Sequence, residues 1–326
     1  MRHRRPGRTR SLGIALILVL WVLTLLTVMA VGMTAAQRTE TALADNRIGQ
    51  ARFRALADAA IAYAMYRLMQ AGPSAGPGLG SGAADDGEGG EQTDWIPNGA
   101  PRPWQFDGMA LTVAVYNESS RVNLNLAQAP VLAALMVALG VEDKQAGALA
   151  DAILDFRDED DLKLLNGAED ADYASAGLPI GAKDAPFAAV EELQQVLGMT
   201  PELYRLLAPE LTVDTDSERI EPAFATPAVL AAIDGISLEE AEQRVQERDR
   251  PALPDGQGSG PADRGGPRYR IEVRTVGAEG HSRSMEALAE LTPGQPIPYR
   301  VHWRRYARSA PAAPPADGES ERPARP

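Results

Sequence analysis

The feature that most constrains this chain is the run 14–36, where 23 consecutive residues carry no charge. As one helix it would rise roughly 34 Å at 1.5 Å per residue, enough to cross the hydrocarbon core of a bilayer. Arg2, Arg4, Arg5, Arg8 and Arg10 stand ahead of it, and no Lys or Arg follows until Arg38. That bias keeps the N-terminus in the cytoplasm and sends everything after Arg38 to the other side. A secretory signal would have a shorter apolar core with a small-x-small cleavage site beyond it, and Val31-Gly32-Met33-Thr34-Ala35-Ala36 fits that pattern only loosely.

With 326 residues there is room for two compact domains besides this helix. Cysteine is absent, so neither a disulfide framework nor thiol chemistry is available. The formal charge of −13 becomes −18 once the five N-terminal arginines are set aside. Such a domain is poorly suited to nucleic acid or an anionic membrane surface and better suited to cations or basic partners.

From Gln37 to Gln70 the helical period continues. Phe53, Leu56, Ala60 and Tyr63 recur at spacings of three and four beside a second row of Ala57, Ile61, Ala64 and Leu68. The stripe calls for a folded partner, and Asn46 and Gly49 are the expected weak points of a continuous helix. Residues 71–102 are expected to be a flexible linker. The glycines of 76–82 lack the preceding strand, following helix and lysine of a phosphate loop. From Pro103 the period becomes two: Met109, Leu111, Val113 and Val115 alternate with smaller residues behind an Asp107-Gly108 turn. Arg121 to Asn125 is expected to return as the second strand of an antiparallel hairpin, and three further strands are expected within 268–306.

Between these strands, 126–252 should be helical with a weak repeat. Pro130-Val131-Leu132 leads to Gly140-Val141, and Pro227-Ala228-Val229 leads to Gly235-Ile236, each followed by an amphipathic helix. These resemble helix-hairpin-helix modules, but Glu142, Asp143, Glu239 and Glu240 crowd the turns where a phosphate would sit, which favours a packing role. Residues 151–172 hold nine acids against Arg157 and Lys163, around an Asn166-Gly167 turn. So many carboxylates are either solvated or bridged by a hard cation. Calcium, with six to eight loosely arranged oxygen ligands, is the natural candidate. Leu162 and Lys163 exclude an EF-hand loop.

The leader resembles a family. A short Arg-rich segment ending in Gly13, then Ile14-Ala15-Leu16-Ile17, is similar to the class III leader of type IV pilins and type II secretion pseudopilins. The resemblance implies cleavage by a prepilin peptidase after Gly13 and N-methylation of Ile14. Most members carry Glu at the fifth mature position; here it is Leu18, as is typical of the large minor pseudopilin K. Ile153-Leu154-Asp155-Phe156-Arg157-Asp158, Asn166-Gly167-Ala168-Glu169-Asp170, Ala185-Pro186-Phe187 and Gly198-Met199-Thr200-Pro201 also resemble that family. Its acidic, calcium-associated loop usually reads Asp-Trp-x-Asp and then Glu-Asp-Asp-Tyr. Here Phe156 replaces the Trp and Ala171 interrupts the acids.

The resemblance implies Asp158, Asp160, Asp161, Glu169, Asp170 and Asp172 as ligands of a structural calcium ion. It also implies an α+β pseudopilin fold, in which a long N-terminal helix packs on a small antiparallel sheet and a large helical insertion carries two hairpin-like lobes. The expected division is a leader at 1–13, a membrane span at 14–36 and periplasmic helix at 37–70. The linker 71–102 follows, then first strands at 103–125, the insertion at 126–252, a linker at 253–267, remaining strands at 268–306 and a disordered tail at 307–326. The implied partners are the minor pseudopilins I and J, then H and the major pseudopilin G, the prepilin peptidase and the inner-membrane secretion platform. No nucleic acid is expected.

No enzyme is expected either. Past the leader only His281 and His302 remain, and no Gly-x-Ser-x-Gly or His-Glu-x-x-His spacing occurs. The rival readings are a membrane-anchored DNA-uptake receptor using the hairpins and a tethered periplasmic hydrolase using a carboxylate pair.

Overall fold

The computed structural model describes residues 12–70, 95–250, 265–276 and 282–306. The calls on 1–11, most of the 71–102 linker, residues 251–264, His281 and the tail 307–326 lie outside the described residues. The chain divides into two units, 1–56 and 57–326.

One helix, α1 (Leu12–Gln70, 59 residues), runs through the first unit without a break at Asn46 or Gly49. Leu16–Met33 has a mean hydropathy of 2.6 and is fully exposed, so it is long and apolar enough to cross a membrane. The Thr24 and Thr27 hydroxyls donate back to the Trp21 and Leu23 carbonyls at 2.8 Å each. That satisfies within the helix the side-chain donors that a hydrocarbon surrounding could not.

In the second unit the end of α1 buries Ala57, Ala60, Ile61, Ala64, Met65 and Leu68, the 3.6-residue stripe legible in the sequence. The main sheet has the order β1-β2-β5-β6-β7 and is antiparallel throughout. β1 (Arg102–Phe106) and β2 (Met109–Asn117) form a hairpin closed by Asp107 and Gly108, both at positive φ (49° and 69°) as a tight two-residue turn requires. β5 (Arg268–Val276), β6 (Ser282–Leu291) and β7 (Tyr299–Arg305) complete it. Period-two alternation gives one apolar face, with Leu111, Val113, Val115, Tyr269, Ile271, Val273, Met285, Ala287 and Ala289 all buried. Tyr63 of α1 meets Trp95 and Trp104 with ring centroids 5.5 and 5.9 Å away, and Asp58 accepts from Arg304 at 2.8 Å. The helix end therefore touches both edge strands. Trp95 is buried, so packed chain begins before the end of the expected linker.

The expected second strand of the hairpin is corrected. β3 is only Val122–Asn123, and it pairs in parallel with β4 (Leu211–Thr212) instead of returning along β2. Asn117 turns the chain away first: its carboxamide oxygen caps the 3-10 turn Glu118–Ser120 at the Ser119 amide. The β3–β4 pair ties the start of the insertion to the stretch between α5 and α6; the insertion holds α2 (Ala129–Ala138), α3 (Asp143–Arg157), α4 (Asp170–Ser175), α5 (Pro201–Leu207), α6 (Pro227–Asp234) and α7 (Leu238–Arg248). The last three start at Thr200, Thr226 and Ser237, whose hydroxyls accept the N3 amide, two of them followed by proline. Both hairpins are present, with Gly140 and Gly235 at positive φ in their turns. Leu132, Leu135, Met136, Ile153, Phe156, Tyr173, Leu207 and Val229 share a single core, so the hairpins merge through α2, α3 and α6 instead of forming two separate lobes. α7 adds Ala241 to a small cluster with Leu230 and Ala231.

Candidate functional site

The acidic residues cluster where α3 ends and α4 begins. Asp151 and Asp155 lie one turn apart on α3 and so project from one face. Asp151 accepts from the Asn166 amide and carboxamide at 3.2 Å each, and Asp155 accepts from the Leu164 amide at 3.2 Å. The two carboxylates thereby fold the Asn166-Gly167 turn back onto the helix. Gly167 is required by contact: a Cβ there would stand 1.8 Å from Asp155 Oδ2. Gly167→Ala should cost about 1–3 kcal/mol through overpacking, read by urea unfolding. Adding Asp155→Ala should restore part of that loss; additive losses would refute the contact.

Arg157 ends α3 and donates to the carbonyls of Leu124 and, at 2.7 Å, Ala127. This anchors the site to the chain just beyond β3.

The six expected ligands divide into two groups. Asp172 faces Lys163 at 2.7 Å and accepts the Glu169 amide at 3.0 Å, completing a capping box on α4. Asp170 accepts the Ala182 amide at 3.0 Å, against Gly181, and Asp160 accepts the Leu162 amide at 2.9 Å. These three hold loops. Asp158, Asp161 and Glu169 instead share one electrostatic neighbourhood with Asp155 and Asp184. Asp158 Oδ1 and Glu169 Oε1 are buried and have no hydrogen-bond partner.

Burial pushes the Glu169 carboxyl up, and Asp155, Asp158, Asp184 and Asp161 push it further, to about 7. Burial and then Asp160 and Asp155 raise Asp158 against the pull of Arg157. Asp155 is raised by burial in spite of the Leu164 and Ala168 amides. Among the described residues no three carboxylates converge closely enough to hold a cation as they stand. The donor chemistry nevertheless fits a hard cation: all the donors are oxygen, two of them are buried and orphaned, and the surrounding charge is of one sign.

Asp155 and Asp184 share this neighbourhood without being among the ligands that the resemblance implies. Asp155 had a signal, a carboxylate on the apolar face of α3 between Ala152 and Phe156. Asp184, held at φ 52°, had none.

Gly13 and Ile14 fall in the first turn of α1, and Leu18 is exposed within the apolar window. His302 meets Glu290 at 2.5 Å across β6 and β7.

A second charged centre joins the insertion to the sheet. Glu118, fully buried, accepts from Arg270 at 2.5 Å. Burial pushes its carboxyl up, but Arg270 and Arg121 outweigh that and hold it below the usual range. Arg305 reaches Glu191 at 2.8 Å and Arg268 reaches Asp216 at 2.7 Å.

Residues 111–215 match the family described as type II secretion system (T2SS), protein K. The chain is 30% identical over 262 residues to the type II secretion system protein K of Pectobacterium carotovorum subsp. carotovorum, covering 74% of this chain and 77% of that one. It is 30% identical over 268 residues to the protein of that name from Klebsiella pneumoniae, covering 73% and 76%. The solved GspK-GspI-GspJ complex from the enterotoxigenic Escherichia coli type 2 secretion system gives a TM-score of 0.47 at 19% identity, covering 64% of this chain and 84% of the matched one. The chain belongs to the type II secretion system protein K family.

Proposed function

We propose that the chain is a non-enzymatic minor pseudopilin that caps and initiates the periplasmic pseudopilus used to export proteins across the outer membrane. The observation that carries this reading is α1 itself: a single 59-residue helix, apolar and exposed over Leu16–Met33, whose last turns form part of the folded unit. On this reading the prepilin peptidase cuts after Gly13, Ile14 becomes the methylated N-terminus, and α1 anchors the chain in the inner membrane. The leader is cytoplasmic and the folded unit periplasmic. The minor pseudopilins I and J are its partners at the tip, with H, the major pseudopilin G and the inner-membrane platform below.

Leu18 suits a terminal subunit, because no carboxylate is needed to neutralise the amine of a neighbour above. The insertion then stops growth by bulk. Glu142, Asp143, Glu239 and Glu240 at the hairpin turns weigh against nucleic acid.

The same reading includes a structural calcium ion. Asp155, Asp158, Asp161, Glu169 and Asp184 would hold it, and the charge it supplies would relieve their mutual repulsion.

The test is the mass and N-terminal sequence of protein purified from membranes with and without the prepilin peptidase. A peptidase-dependent start at Ile14 is expected. A start at Met1, or cleavage near Ala36, would overturn the pseudopilin reading. A strain lacking the chain should lose secretion, and normal pseudopilus assembly in that strain would refute the tip role.

A further inference from the structure

We infer that the cleft between the charged face of the sheet and the base of the insertion binds a carboxylate of a partner polypeptide through Arg121, with Arg270 beside it. The cleft has a volume of about 460 Å³. Its floor is the sheet face opposite α1, where alternation sets Tyr116, Arg270 and Leu288 in one cross-strand row and Ala114, Glu272, Glu286 and Arg305 in the next. Arg121 enters from the turn after β2 and lines the same space.

Arg121 is 8% exposed, and its guanidinium lies over the Tyr116 ring at 5.0 Å. Among the described residues it forms no side-chain hydrogen bond and no ion pair. The acids around it make their hydrogen bonds elsewhere, Glu118 with Arg270, Glu210 with the Thr226 hydroxyl and Glu191 with Arg305, and the second Glu118 oxygen is buried with no partner of its own. Arg270, having given one nitrogen to Glu118, leaves its buried Nε without a partner. A guanidinium stays charged at neutral pH, and a buried charge is held by a partner that satisfies its donors. Stacking on Tyr116 covers one face of Arg121 and leaves its in-plane N–H donors unused, the edge that a carboxylate meets with two parallel hydrogen bonds.

The far wall narrows the ligand class. Glu272 and Glu286 oppose each other across β5 and β6, with Arg274 on Glu272 and Arg305 opposite Glu286, so the charges there offset one another and a multiply charged anion such as phosphate gains no second anchor. A single carboxylate followed by neutral or donor groups fits both ends. The C-terminus of a partner chain, a carboxylate followed by backbone N–H donors, has that form.

The test uses the full-length protein in neutral detergent, labelled with ¹⁵N-arginine, and follows the arginine Nε–H signals. The probes are N-acetyl-alanyl-alanine, the same peptide as its C-terminal amide, acetate and inorganic phosphate. The free-acid peptide is expected to shift the Arg121 and Arg270 signals saturably while the amide leaves them unmoved. Arg121→Met should abolish the response. Arg121→Lys, which keeps the buried charge but loses the planar fork, should weaken binding about tenfold or more with the fold intact. Equal binding of the amide, equal or tighter binding of acetate or phosphate, or unchanged binding in Arg121→Lys would each overturn the inference. None of these outcomes depends on processing at Gly13 or on secretion.

Discussion

Glu118→Gln is expected to destabilise the folded unit by about 3–5 kcal/mol, the range for removing one partner of a buried ion pair. Glu118 meets Arg270 at 2.5 Å inside the joint, with Asp214 farther off at 3.9 Å, and Arg121 is also buried within the Glu118 field. The substitution would leave two largely buried guanidiniums beside each other without the carboxylate that offsets their charge. At about 2–4 °C per kcal/mol for a unit of this size, the melting temperature should fall by about 6–20 °C. The acid limb should change as well. The Glu118 carboxyl is held below its ordinary value of 4.5, so its contribution is present above that pH and lost as the pH falls through its folded value. The variant should therefore resemble the parent more closely in acid than at neutral pH. Replacing Glu118 and Arg270 together by Met should recover much of the loss, because the uncompensated charge goes with them. A loss below 1 kcal/mol in the single variant would show that the pair does not join sheet to insertion.

The second large effect concerns calcium and pH together. Without the ion, the Glu169 carboxyl sits at about 7 against 4.5 unfolded. Its protonation then favours the folded chain fully below about 4.5, and that contribution is lost as the pH rises through 7. Calcium and the proton compete for the same oxygens, so the stabilisation by calcium should grow through this window. At a free concentration one hundred times the dissociation constant it would reach about 2.7 kcal/mol. Thermal melts at pH 5.5 and pH 8, each with calcium and with chelator, measure the difference. The gap should be wide at pH 8, narrow at pH 5.5 and nearly absent in Glu169→Gln. Coincident curves at pH 8 would return the loops to plain solvation.

Where local rules decide, the sequence was informative. The stripe from Ala57 to Leu68 and the alternations of β2, β5 and β6 are periodic patterns, and each emerged as the buried face of its element. β3 was misassigned because its partner is a two-residue strand 89 residues later, and nothing local reports a parallel pairing of that kind. β1 escaped notice because Pro103 interrupts a strand only five residues long.

The acidic loops were legible as composition but not as roles. Asp170 and Asp172, ligands by resemblance, are here engaged by backbone amides and Lys163, which no local pattern reports. The Glu118–Arg270 joint was hidden for a related reason. Arg270 lies on the strand face that alternation marks as solvent, and only the return of the insertion buries it.

The order in which the strands pair has a consequence for how the chain is made. β2 pairs with β5 from Thr112 to Asn117, and even the partners nearest in sequence, Asn117 and Tyr269, are 152 residues apart with the whole insertion between them. During synthesis the hairpin of β1 and β2 must wait, one edge open, while α2 to α7 emerge. The insertion can form its own core in that interval, because the β3–β4 pair closes α2 to α5 into one loop, and α6 joins the same core, before β5 exists. The main sheet is then the last element to close. The nascent chain is most exposed to edge-to-edge aggregation just before residue 268 appears, which is the stage at which a chaperone would matter most.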